Sequence, residues 1–324
     1  MKTFTLSLAA LVALVFASPT QACDFCMIGQ GVSPYLTSYG RGLTLDVNSV
    51  TSDKLYDKTN RIDSNGKQES WLTYSLTGFY TVAEDFNISV IVPYSLKTNI
   101  DFDDGVNTGE FTNGLGDISV LGRYTFFRDH TLTSTWVNGV IAGLKLPTGL
   151  STYYDAQNNP VDRHALPGTG SFDYIFGLSS AYTVGGTWQL TADIVYNFAG
   201  PGSWNGQYHR FGNSLNYALR GYYNLLSPKN TPETLFVFLG ASGQSEGKET
   251  GTQTDDGYDP NLVNLSTGGT VLFGDVGIYS NLSANTILNL KFSKAWFHDM
   301  NFDSNFEADP AEDYKIYVAL TYLF

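Results

Sequence analysis

Glu312-Asp313-Tyr314-Lys315-Ile316-Tyr317-Val318-Ala319-Leu320-Thr321-Tyr322-Leu323-Phe324 is the stretch whose reading decides the fold. Successive side chains of an extended strand point to opposite faces. Tyr314, Ile316, Val318, Leu320, Tyr322 and Phe324 therefore share one apolar, aromatic-edged face. Asp313, Lys315, Tyr317, Ala319, Thr321 and Leu323 share the other, which is polar toward its start. Such a strand suits a closed barrel with one face in lipid, or the edge of a secreted β-sandwich.

Working outward, the same alternation recurs along the chain. Candidate strands fall at about 41–52, 69–82, 86–98, 115–127, 132–146, 171–184, 188–199, 211–226, 233–244, 270–281, 285–296 and 312–324. The connections alternate strictly between short and long. Ala83-Glu84-Asp85, Arg128 to Thr131, Gly185-Gly186-Thr187, Ser227 to Pro232 and Leu282-Ser283-Ala284 are tight; 53–68, 99–114, 147–170, 200–210, 245–269 and 297–311 are long. An even strand count with loop lengths segregated by side is the topology of an outer-membrane barrel, with short turns in the periplasm and long loops outside. A sandwich gives no reason for that segregation. The expected fold is thus all-β, a transmembrane antiparallel up-and-down barrel of about twelve strands over 41–324.

The faces agree. Leu72, Tyr74, Leu76, Gly78, Tyr80 and Val82 alternate with Trp71, Thr73, Ser75, Thr77, Phe79 and Thr81; Leu190, Ala192, Ile194, Tyr196 and Phe198 alternate with Gln189, Thr191, Asp193 and Asn197. Backbone groups in lipid must be paired, so strands of this kind need a closed sheet. Asn138, Phe236 and Phe238 break the pattern in the fifth and ninth strands. A charge on the lipid face costs about 2–4 kcal/mol near mid-membrane, which sends the strand charges inward. Lys97, Arg123, Lys145, Arg220, Lys291 and Lys315 then stand against Asp46, Asp117, Asp173, Asp193, Asp275 and Asp313. Both signs are present, so these residues read either as ion pairs bracing a narrow barrel or as a polar lining for a passing solute. Gly139, Gly143, Gly177, Ser179 and Thr183 lean toward some open space in the lumen.

Residues 1–22 carry Lys2, an apolar core from Leu6 to Ala17 and the small-residue site Thr20-Gln21-Ala22, the pattern of an export signal. Thr20 stands where a lipidation signal has Leu, which favours ordinary cleavage and leaves Cys23 unmodified. No later run reaches 18 apolar residues, which argues against membrane-spanning helices. A net charge of −13 argues against nucleic acid as a partner. The two cysteines, Cys23 and Cys26, lie in an irregular segment at 23–40, which reads as periplasmic or as a small plug tucked into the lumen, and in an oxidising compartment they read first as a local disulfide. Two thiolates with no neighbouring His complete neither a zinc site nor a haem attachment, and no cofactor or metal is expected. The acidic loops (Asp101 to Glu110, Asp255 to Asp259, Asp303 to Asp309) lack the spaced ligands of a calcium loop. An enzyme is not expected either. No His begins a His-x-Ser on a strand, and the pairs Asp101-x-Asp103 and Asp162-x-His164 match an omptin-type protease in spacing only.

Three glycine-bearing motifs occur in order: Gly114-Leu-Gly-Asp117-Ile-Ser-Val-Leu-Gly-Arg-Tyr124, Gly143-Leu-Lys-Leu-Pro-Thr-Gly149 and Pro167-Gly-Thr-Gly-Ser-Phe-Asp173-Tyr. In these, over about 70–225, the chain resembles the MetA-pathway phenol-degradation family of outer-membrane proteins. The resemblance implies a transport-like barrel passing small, hydrophobic or aromatic solutes. The contrasting expectation is a non-conducting structural or adhesive barrel displaying acidic loops. The terminal strand likewise resembles those of outer-membrane barrels, and that resemblance implies that Phe324 is read by the barrel-insertion machinery.

Overall fold

The computed structural model describes residues 40–64, 66–100, 102–103, 106–107, 110–154, 160–161, 163–204, 206–227, 233–254, 257–264, 268–301 and 311–324. The export signal, Cys23 and Cys26, Asp101, Asp162 and the acidic stretch from Asp303 to Asp309 lie outside them.

Alternating apolar and polar residues build long strands, and tight turns force each back along its neighbour. Among the described residues twelve wall strands follow in order: β1 (Arg41–Asp57), β2 (Gln68–Ala83), β3 (Phe86–Ile100), β4 in two pieces (Glu110–Leu115 and Ser119–His130), β5 (Ser134–Lys145) and β6 (Asp173–Val184). Then come β7 (Trp188–Phe198), β8 (Ser214–Leu226), β9 (Thr234–Glu246), β10 (Gly269–Asn281), β11 (Thr286–Met300) and β12 (Ala311–Leu323). Each is antiparallel to the next. β1 pairs with β2 (Leu45 opposite Leu76) and also with β12 (Leu45 opposite Leu320), so the sheet closes on itself. This removes both sheet edges, the requirement for backbone in lipid.

The outer face is apolar. Leu239 is 70% exposed and Trp188 59%, and Phe176, Leu190, Ile194, Leu219, Val276 and Leu320 share that face. Rings gather near the turns: Trp188 packs on Tyr223 at 4.5 Å and Phe127 on Trp136 at 5.2 Å. Aromatic girdles of this kind sit at membrane interfaces. Asn138 lies on this outer face opposite Ser180. Phe236 and Phe238, by contrast, turn inward against Tyr222, Tyr279 and Ile287, which explains why they broke the alternation.

The long connections carry more order than their sequence suggested. β1 runs five residues beyond its expected end at 52 and hairpins into Asn60–Ile62. The β7–β8 and β9–β10 loops knit together through strands Gly202–Trp204, Gln207–Arg210, Thr250–Thr254 and Gly257–Asn264 into a separate four-stranded sheet. Asp313, expected to face inward, falls where the β1–β12 register slips and is tied to Lys54 and the half-exposed Lys294.

The inner-face glycines leave no spare room beside them. At Gly139, Gly143 and Gly177 an added Cβ would meet Arg123 Nε at 3.1 Å, Leu121 Cδ2 at 2.4 Å and Val195 Cγ2 at 3.1 Å. Those glycines thus make room for neighbouring side chains and do not leave the open space anticipated for them.

Candidate functional site

The three glycine-bearing motifs, dispersed in sequence, meet at the long-loop end of the wall. Strand β4 breaks at 116–118 opposite Pro93, which has no N–H to give, and Gly116 N–H instead donates to the Pro93 carbonyl at 3.0 Å. The break aims Asp117 inward, where it is fully buried. Its carboxylate accepts from Gly149 N–H (2.9 Å), Thr169 N–H (2.8 Å) and Thr169 Oγ1 (2.7 Å). Lys145, at the end of β5, reaches Asp173 at 2.7 Å and Asp117 at 3.8 Å. Asp173 also accepts from Ser171 Oγ, Asn197 Nδ2 and Gly200 N–H. The ends of the β5–β6 loop are thereby stapled to the wall. The fit is close enough that a Cβ at Gly149 would stand 2.7 Å from the Gly116 carbonyl carbon and 2.8 Å from Gly168 Cα.

The same loop turns inward. Lys97 on the inner face of β3 donates to the carbonyls of His164 (3.2 Å) and Leu166 (2.5 Å), and Thr112 on β4 donates to that of Ala165. The single turn of 3-10 helix Arg163–Ala165 is thus held against the inner wall, with Val161, Ala165 and Leu166 buried beneath it.

Deeper, β8 to β12 carry Arg220, Asp275, Lys291 and Lys315, while Asp46, Arg123 and Asp193 stand on β1, β4 and β7. Arg220 pairs with Asp275 at 3.1 Å, which also accepts from Ser242 Oγ at 3.0 Å. Lys291 lies 5.7 Å from the Tyr317 ring, and Lys315 lies 4.3 Å from the Phe273 ring and 2.5 Å from Glu312. Asp193 falls within electrostatic range of Arg220 and Arg123. Asp46, Lys97, Asp117, Lys145, Asp173, Arg220, Asp275, Lys291 and Lys315 are all buried, as is Asp313 at the register slip. Between these charges the inner face of β3 to β7 also carries an aliphatic patch: Ile91, Leu121, Ile141, Ile175 and Val195 form one buried cluster over five adjacent strands.

One functional-looking group escaped the sequence reading. Glu249, in the β9–β10 loop, is 4% exposed and binds Arg163 Nε (3.1 Å), His164 Nε2 (2.9 Å) and His209 Nε2 (3.3 Å). Burial opposes ionisation of Glu249, but His164, His209 and Arg163 outweigh it and hold the carboxyl well below its usual 4.5. Burial pushes His209 below its usual 6.5, partly offset by Glu249. An isolated Glu in an acidic loop gives no periodicity or spacing by which to find it.

A closed wall of twelve strands, apolar outside and charged within, with tight turns at one end and folded loops at the other, defines a bacterial outer-membrane β-barrel. The solved structure of the COG4313 outer membrane channel from Pseudomonas putida F1 is similar, with TM-score 0.62, 14% identity, and 88% of this chain and 96% of that chain covered. At that identity the likeness is one of fold. The β domain of the Bordetella autotransporter BrkA (TM-score 0.47, 9% identity, 88% and 100% covered) and the CymD monoaromatic hydrocarbon channel (0.38, 9%, 89% and 90%) are more distant. No family model and no curated protein sequence matches the chain.

Proposed function

We propose that the chain is a passive outer-membrane channel for small hydrophobic or aromatic solutes. The observation that carries this reading is the inward aliphatic cluster of Ile91, Leu121, Ile141, Ile175 and Val195. Membrane insertion demands apolar residues on the outer face, not the inner one. An aliphatic surface inside the wall gains by contact with apolar groups: neighbouring side chains at rest, an apolar solute in transit. The charges around it carry both signs (Lys97, Arg123, Lys145, Arg220 and Lys291 against Asp46, Asp117, Asp173, Asp193 and Asp275), which favours a weakly ion-selective path. That the similar Pseudomonas protein is named an outer membrane channel supports the reading, as does the motif resemblance to the MetA-pathway family.

In this reading the tight turns face the periplasm, which also receives the segment bearing Cys23 and Cys26 after removal of residues 1–22. Phe324, exposed and packed edge-on against Tyr322 at 5.4 Å, is presented to the insertion machinery. Transport, not hydrolysis, is the activity. Refolded protein in a planar bilayer tests it: small discrete conductance steps that millimolar toluene blocks are expected. Insertion with neither conductance nor binding of apolar compounds would instead establish the non-conducting barrel.

A further inference from the structure

Glu249 joins parts of the chain that the wall alone does not connect. Arg163 and His164 belong to the in-turned β5–β6 loop, His209 to the β7–β8 loop, and Glu249 to the β9–β10 loop. The Phe211 ring packs edge-on against His209 at 4.6 Å and against His164 at 6.1 Å, walling the group from solvent. Next to Glu249 the backbone pairs His209 with Gly251 and Arg210 with Thr250. On the opposite side Lys97 fixes the His164 carbonyl to β3. A carboxylate this buried, whose partners come from two other loops, does nothing for the wall strands themselves. Its consequence is to hold three loops in one position at the outer end of the barrel.

We propose that Glu249 is a latch closing these three loops over the outer end of the barrel, and that its release admits solute. The consequence for solute rests on the channel reading; the closure itself does not.

The groups facing the latch set how it responds to acid. They are Arg163 and His164 from one loop and His209 from the second, with Lys97 beyond the His164 carbonyl on the wall side. Lys248, adjacent in sequence, is exposed, and Arg210 is occupied by the Ala199 carbonyl and Asn213. His209 is held below its ordinary 6.5 in the closed arrangement, so its own share of the closure weakens as pH falls below 6.5. Glu249 is held below its ordinary 4.5, so its contribution persists above that value and is lost only in stronger acid. His164, 2.9 Å from the same carboxylate, acts in the opposite sense to His209, because its protonated form gains the ion pair.

Trypsin reads closure without reference to transport, because Arg163 is enclosed in the latch while Lys58, in the β1–β2 loop, is exposed. In refolded barrels at pH 7.5, Glu249→Gln should raise the rate of cutting after Arg163 by at least ~10-fold while cutting after Lys58 changes little. Retained heat-modifiable gel mobility shows that the barrel itself is intact, and His209→Gln provides a second, milder variant with the same direction of effect. Unchanged cutting after Arg163 in both variants overturns the latch. Conductance of the same preparations then reads its consequence. A raised open fraction in Glu249→Gln is expected. Released loops with unchanged conductance in a conducting barrel overturn the admission of solute. If no preparation conducts, it is the channel reading that fails, and the trypsin result still decides the latch.

Discussion

Replacing Lys145 by Met should expose how much the barrel depends on its buried node. The ammonium is 4% exposed, 2.7 Å from Asp173 and 3.8 Å from Asp117, whose side chains are 2% and 0% exposed. Methionine keeps the length and bulk of the side chain but leaves two carboxylates facing one buried site. Removing one partner of a buried pair costs about 3–5 kcal/mol, because the remaining charge is uncompensated. Here Asp117 and Asp173 each retain three hydrogen-bond donors, which places the expected loss near the lower bound, about 3 kcal/mol. Urea unfolding of protein folded into lipid vesicles measures it. The Lys145→Met/Asp173→Asn double variant should lose at least ~1 kcal/mol less than the sum of the single losses, the signature of a direct pair. Arg128→Met, which breaks the solvent-facing pairs with Glu84 and Asp85, should cost under about 1 kcal/mol. A Lys145→Met loss no larger than that of Arg128→Met, or strict additivity with Asp173→Asn, would refute a dry, mutually dependent node.

Three further outcomes follow from the same geometry. Gly149→Ala places a methyl group against the backbones of Gly116, Gly168 and Asp117; a loss of about 1–3 kcal/mol in the same urea assay is expected. Leu239→Lys puts a charge on the lipid face near the middle of β9, where Leu239 is 70% exposed. It should cost about 2–4 kcal/mol, while Leu239→Phe should be near neutral. Ile175→Asn, at the centre of the aliphatic cluster where Ile175 is wholly buried, should weaken block of conductance by toluene about 10-fold without altering the wall registers seen by hydrogen exchange.

The wall was legible because its cause is local and periodic. Lipid outside and packed side chains inside act on every second residue, so Tyr314 to Phe324, Leu72 to Val82 and Leu190 to Phe198 each declare their faces unaided. Loop lengths were legible for the same reason, since tight turns have their own residue chemistry. What could not be read was whatever depends on partners distant in sequence. Gly139, Gly143 and Gly177 looked like lumen space, yet whether a glycine leaves a gap or admits Arg123, Leu121 or Val195 is decided on the adjoining strand. Phe236 and Phe238 looked like flaws in the alternation until Tyr222 and Tyr279 met them from the strands on either side.

The glycine-bearing motifs show the boundary most clearly. As strings they carried only a family resemblance; in the fold Gly114 stands next to the last residue of the first piece of β4 and Gly116 opens its break. Their main contribution, however, lies in bringing Gly149 and Thr169, 32 and 52 positions away, onto one carboxylate, Asp117. Such a staple fixes the ends of the β5–β6 loop while leaving its middle to be placed by other contacts, those of Lys97, Thr112 and Glu249. The division has a physical consequence. Contacts at the loop ends are part of the wall and share its stability, whereas the middle is held by a few polar groups and can open at far lower cost. A barrel whose wall is rigid and whose outer covering is held by separable contacts can let the covering move without unfolding the sheet. Movement of that kind is therefore to be sought at Arg163, His164, His209 and Glu249, and not at Asp117, Lys145 or Asp173.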